Sequence, residues 1–148
     1  MLNFDDFIER ARYYASKSNC RNGMAAVLFR NKGKPLAWGF NKKGYRGSSI
    51  HAEVDAIKQI KMQKKRANNA SILVCRFRKD GSYAMAKPCA NCIEVLKMAG
   101  IKKVAWTTTK QTIEIARIEM LSNDYITHNH ETGSNVVNCF EGFSAQGE

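Results

Sequence analysis

Residues 71–107 read SILVCRF, then RKDGSYAMAKP, then CANCIEVLKMA, Gly100 and IKKVAWT. Ser71 to Phe77 is a run of mostly consecutive apolar residues, too apolar for an exposed edge and suited to a strand covered on both faces. Residues 89–99 read as a helix. They close on Gly100, the residue that most easily takes the left-handed conformation after a helix end. Residues 101–107 read as the next strand. Strands that alternate with helices pair in parallel, with the helix crossing over one face of the sheet.

Upstream, 24–30 (MAAVLFR) and 35–41 (PLAWGFN) are apolar runs joined by Asn31-Lys32-Gly33-Lys34, which predicts a hairpin. Residues 3–17 place Phe4, Ile8, Ala11 and Tyr14 near helical spacing, with Asp5 and Asp6 in the first turn. Residues 52–66 predict a helix with Val54, Ile57, Ile60 and Met62 on its inner side. Residues 110–121 predict another, with Ile113, Ala116, Ile118 and Leu121 apolar. Val136-Val137 is a candidate short final strand, and the tail beyond Phe143 is expected to be mobile. The expectation is one α/β domain over residues 1–148, a three-layer α/β/α fold with a mixed five-stranded sheet.

A chain of 148 residues with 44% hydrophobic and 25% charged residues suits one globular domain and excludes wholesale disorder. No apolar run reaches the length of a membrane span, so no membrane partner is expected. The start, MLNFDDFIER, lacks the basic and apolar stretches of a secretory signal. Five cysteines, an odd number, then suggest a reducing, cytoplasmic setting with free or metal-bound thiolates. All 24 basic residues lie in 1–117 with only eight acids, leaving that part at +16. Such a charge points to a phosphate-bearing partner, a nucleotide or a nucleic acid, or else serves solubility.

Two short segments carry chemistry: Ser49-Ile50-His51-Ala52-Glu53 and Lys87-Pro88-Cys89-Ala90-Asn91-Cys92. Cysteines at i and i+3 of a helix share a face and can bind one ion. Pro88 suits a helix entrance, and a helix N-terminus favours thiolates. A thioredoxin-like pair would sit after the first strand, and a zinc ribbon needs a second CxxC; neither is met. His51 and Glu53, two apart, would point about 200° apart inside a helix. They converge only at a helix start, where apolar periodicity beginning at Val54 places them. His51, Cys89 and Cys92 as three zinc ligands leave a fourth position for water, the mark of a catalytic site with one ion per chain. Glu53 is then free to move protons.

HAE followed by PCANC in this element order resembles the zinc-dependent cytidine/deoxycytidylate deaminase superfamily, whose signature is H-x-E…P-C-x-x-C. The resemblance covers roughly residues 3–121 and implies a cytidine-deaminase-like fold. It implies hydrolytic removal of a nucleobase amine, cytosine becoming uracil, with His51, Cys89 and Cys92 on zinc and Glu53 catalytic. Asn41, in Gly39-Phe40-Asn41, matches a residue that contacts sugar or base in related enzymes; its other reading is a turn Asn. Ala52 matches the position whose backbone reaches the pyrimidine. Lys42, Lys43 and Arg46 flank Asn41 and are expected at the mouth of the site, on a substrate phosphate.

A helix at 110–121 between two strands would match the branch whose final strand pair is parallel, which includes deoxycytidylate, tRNA-adenosine and polynucleotide cytidine deaminases. His51 as first ligand, where free-nucleoside enzymes usually carry Cys, points the same way. Deoxycytidylate deaminases usually read HAExNA, whereas this chain has HAEVDA, with Asp55 at the Asn position. Only nine residues separate Asn41 from His51, where those relatives often carry a long insertion. Two substrates therefore stand: a deoxycytidylate-type nucleotide, or cytosine or adenine in single-stranded DNA or RNA, tRNA included. The sequence does not give the oligomeric state; relatives usually assemble, which makes a homo-oligomer a candidate, with helix 110–121 able to serve as its interface. His128, His130 and Cys139 could form a second metal site, although exposed loop histidines are commoner. Cys20 and Cys75 are expected to pack as small apolar groups.

Overall fold

The computed structural model describes residues 4–30, 34–44 and 49–121. Helix α1 (Asp5–Ser16) precedes the hairpin of β1 (Met24–Phe29) and β2 (Pro35–Phe40). A two-stranded ribbon, β3 (Lys42–Lys43) with β4 (Ser49–Ile50), leads into α2 (Ala52–Met62). Then follow β5 (Ser71–Phe77), β6 (Tyr83–Ala84), α3 (Ala90–Met98), β7 (Lys103–Thr107) and β8 (Ile113–Arg117). The main sheet runs β2-β1-β5-β7-β8, with β6 paired to the end of β5. β5 and β7 are parallel; the other pairs are antiparallel.

Alternation within the central strands builds the three layers. Ala25, Val27 and Phe29 of β1, with Leu73 and Cys75 of β5, pack under Phe7, Ile8, Ala11 and Ala15 of α1. Ala26 and Leu28, with Ile72, Val74 and Val104, face the other way, onto Ile57 and Ile60 of α2 and Leu96 of α3. Both faces of these strands are dry, which is why their sequences are continuous apolar runs. On α1, Phe7 and Ala15 join the core while Tyr14 is half-buried and stacks on Trp38. Met62, expected inward, is exposed because α2 ends there, beyond the edge of the sheet.

The expected helix at 110–121 is instead strand β8 followed by a short 3-10 turn at Ile118–Met120. Thr108 donates its N–H to the Thr112 carbonyl (2.9 Å), and Gln111 takes φ 65°. This tight turn reverses the chain onto β7, pairing Thr107 with Ile113 and Ala105 with Ile115. The β-branched Thr112, Ile113 and Ile115 fit a pleated strand, and the open edge of β7 supplies the partners that decide it. The final pair is therefore antiparallel, which withdraws the grouping with the parallel branch. The 110–121 interface helix is absent for the same reason. Val136, Val137, the tail beyond Phe143, Arg46, His128, His130 and Cys139 lie outside the described residues. No helix among the described residues is long and apolar enough to cross a membrane.

Gly39 sets the distance between β2 and α2. A Cβ there would lie 2.3 Å from the Ala56 nitrogen and 2.6 Å from the Ala52 carbonyl oxygen, both backbone atoms that cannot move aside. Gly39→Ala is expected to cost about 2–3 kcal/mol, read as a Tm lowered by about 10 °C. An unchanged Tm would mean that α2 is free to shift off the strand.

Candidate active site and metal centre

The two chemistry-bearing segments meet at two helix starts. His51 occupies the N-cap of α2 with extended backbone (φ −75°, ψ 154°), and Cys89 occupies the N-cap of α3 in the same way (φ −72°, ψ 169°). This extended residue is what lets His51 and Glu53 face one point despite being two apart. Neither helix has a side-chain cap hydrogen bond. Val54 and Val95 pack with Cys92, and Ile50 and Cys89 close over them, so an apolar patch holds the two starts together.

The donor atoms of His51, Cys89 and Cys92 lie within 4.8 Å of one another, and His51 Nδ1 is 3.2 Å from Cys92 Sγ. Two thiolates and an imidazole suit zinc and neutralise its charge. Glu53 is buried, and its Oε1 has no hydrogen-bond partner among the described residues. Burial pushes its carboxyl above the ordinary range; His51 opposes that rise and Cys89 adds to it. An orphaned buried carboxylate oxygen beside a convergent His-Cys-Cys set fits a metal centre that also holds a water. The residues present therefore fit zinc.

A cavity of about 490 Å³ opens onto this set, with His51, Glu53 and Cys89 in its wall and Cys92 buried behind them. Asn41 also lines it, but both ends of its amide serve the fold. Its Oδ1 accepts the Met24 N–H (2.9 Å) and its Nδ2 donates to the Asn22 carbonyl (2.8 Å). Ala52 is fully buried and does not line the cavity.

The lysines expected at the mouth are elsewhere. Lys42 turns away, with Nζ 3.1 Å from the Asp55 carboxylate and 4.5 Å from the Phe40 ring centroid, in a second cavity of about 400 Å³. Lys43 is exposed, and its N–H donates to Asn19 Oδ1 at 2.6 Å. Among the described residues, the cations that line the cavity are Arg21, Arg76 and Lys87. A topological signal marks the first two: Met24, the first residue of β1, pairs with Arg76 near the end of β5. Residues just before β1 and late in β5 thus share the sheet edge where the helix starts lie. Cys20 is half-buried in the same wall rather than packed in a core, because the chain has not yet entered β1. Cys75 is buried under α1, and burial pushes its thiol up to about 12.

The family model for the cytidine and deoxycytidylate deaminase zinc-binding region matches residues 2–108. No curated protein sequence matches the chain. The fold is similar to cytidine deaminase from Burkholderia pseudomallei (TM-score 0.67, 21% identity, 83% of this chain and 98% of that one). It is also similar to cytidine deaminase from Mycobacterium tuberculosis (TM-score 0.60, 16% identity, 84% and 97%). A third likeness is to dCMP deaminase from the cyanophage S-TIM5 in complex with dCMP and dUMP (TM-score 0.55, 22% identity, 70% and 79%).

Proposed function

Because the chain belongs to the cytidine and deoxycytidylate deaminase family, zinc-dependent hydrolases of the cytosine amine, we propose that its substrate is a pyrimidine nucleotide of the deoxycytidylate type. The observation that carries this reading is the trio Arg21, Arg76 and Lys87 in the wall of the cavity that holds Glu53 and His51. Three cations beside one catalytic cleft suit a substrate that brings a phosphate with its base. The reading rests on these cations and not on strand order, since the final strand pair is antiparallel.

His51, Cys89 and Cys92 hold zinc, which when bound acts as a Lewis acid and makes a water nucleophilic near neutral pH. Glu53 takes a proton at its orphaned Oε1 and hands it to the ring nitrogen of cytosine. It then takes the second proton of the attacking water and gives it to the amine; the C–N bond breaks, ammonia leaves, and the water oxygen remains as the uracil carbonyl. The burial of Glu53 limits exchange of that proton with bulk solvent. Asn41 shapes the wall beside the reacting ring.

A second reading, cytosine or adenine deamination in single-stranded DNA or RNA, draws on the +16 charge of residues 1–117. A mass-spectrometric assay with zinc-loaded protein separates the two, offering deoxycytidylate, deoxycytidine and a cytosine-containing oligonucleotide in separate tubes. Deoxycytidylate is expected to be the best substrate, with a modest loss of kcat/KM as salt rises. Turnover of the oligonucleotide alone, with a steep salt dependence, would overturn the nucleotide reading. Equal use of deoxycytidine would remove the phosphate from recognition.

A further inference from the structure

Asp55 is a buried carboxylate two residues beyond Glu53 that takes no place in the cavity. Its Oδ2 accepts the Phe40 N–H (3.0 Å), its Oδ1 accepts from Gln59 Nε2 (3.2 Å), and Lys42 Nζ lies 3.1 Å from both oxygens. Its own N–H donates to the His51 carbonyl (3.0 Å). Phe40 and Lys42 are the two neighbours of Asn41 in the chain, so Asp55 holds the Phe40 backbone on one side of Asn41 and the Lys42 ammonium on the other. Asn41 in turn clamps the segment leading into β1. Its side chain binds Met24 N–H and the Asn22 carbonyl, and its own N–H donates to the Met24 carbonyl (3.2 Å). Asn22, Met24 and Asn41 all line the cavity, and Arg21 stands next to Asn22.

We infer that Asp55 is a positioning residue for substrate: it locks the turn that carries His51 and Glu53 to the wall at Asn41 and Asn22–Met24. The donors explain the residue type. A backbone N–H, an ammonium and an amide N–H converge on Asp55, and among the described residues no acceptor does. A carboxylate offers acceptor oxygens on both sides, whereas an amide would turn one side into a donor facing Lys42. The close approach of Gly39 to Ala52 and Ala56 removes slack from the same joint. Asp55 therefore acts on binding through Asn41, and leaves the proton chemistry of Glu53 alone.

The inference rests on the 490 Å³ cavity being the substrate site. The wild-type substrate assay identifies the substrate; the same comparison is then made with Asp55→Ala. KM is expected to rise about tenfold, a loss of about 1.4 kcal/mol in affinity, with kcat within about twofold and zinc unchanged. The dissociation constant for the uracil-containing product, measured by calorimetry, should rise by the same factor. In an Asn41→Ala background, Asp55→Ala should add almost nothing, because the path has already been cut. If Asp55→Ala does not fold, Asp55→Asn, which keeps one acceptor, should show a smaller rise of the same sign. A KM and product affinity unchanged in a folded variant, a fall in kcat alone, or effects that multiply in the double variant would overturn it. A wild-type chain that turns over none of the three substrates would overturn the function and this inference together. Turnover of any one of them with no change in the variants would overturn this inference alone.

Discussion

Glu53→Gln is expected to lower kcat by about a thousandfold while the protein keeps one zinc per chain. The amide has nearly the same shape, so the cavity wall and the His51, Cys89 and Cys92 donor set stay in place. On the proposed mechanism, what disappears is the group that takes a proton and returns it. The variant also loses a buried carboxyl whose Oε1 has no partner among the described residues, so its metal-free form should melt no lower than the wild type. Three measurements on one preparation check this: ammonia release, zinc per chain and Tm. A variant that keeps more than a tenth of wild-type kcat would remove Glu53 from the proton path. One that also loses zinc would move it into the ligand set.

Cys89→Ala is the second large effect, and it should act on metal before chemistry. Removing one of three ligands is expected to weaken zinc binding at least about a hundredfold, the upper end of what even the outer partners of metal ligands cost. Activity should fall with it. Cys89 is half-buried at the N-cap, so alanine leaves no large hole and the fold should survive. Zinc raises the Tm of a protein that binds it only when folded, by an amount set by its affinity. The wild type should therefore show a zinc-dependent Tm, and Cys89→Ala a Tm that zinc barely moves. A fully loaded Cys89→Ala protein after dialysis against a chelator would exclude Cys89 as a ligand.

Much of this molecule is legible in its sequence because local and tertiary preferences agree. The runs at 24–29 and 71–77 are continuous and apolar because they lie between two helical layers. His51 and Glu53 can share a site only at a helix start, and α2 starts there. The misreadings have equally definite causes. Residues 113–117 have apolar positions that fit either period, and the free edge of β7, a long-range partner, decides for a strand. Lys42 follows Asn41 directly, but successive side chains in extended backbone point to opposite sides, so one faces the cavity and the other Asp55. Arg21 and Arg76 are far apart in the chain and share one end of the sheet only through strand register, which no local pattern records, whereas Lys87 directly precedes the Pro88-Cys89 motif.

The N-caps of α2 and α3 have a consequence for how this sequence can change. A helix start is ordinarily steadied by Ser, Thr, Asp or Asn, worth about 1 kcal/mol each. Here both positions hold metal ligands, His51 and Cys89, and neither makes that bond. A selection for heat resistance alone would therefore favour replacing the two residues the site can least spare. Lineages that keep the site must find their thermal margin elsewhere, and a homologue with Ser or Asp at both positions would mark a descendant that has abandoned the chemistry and kept the scaffold.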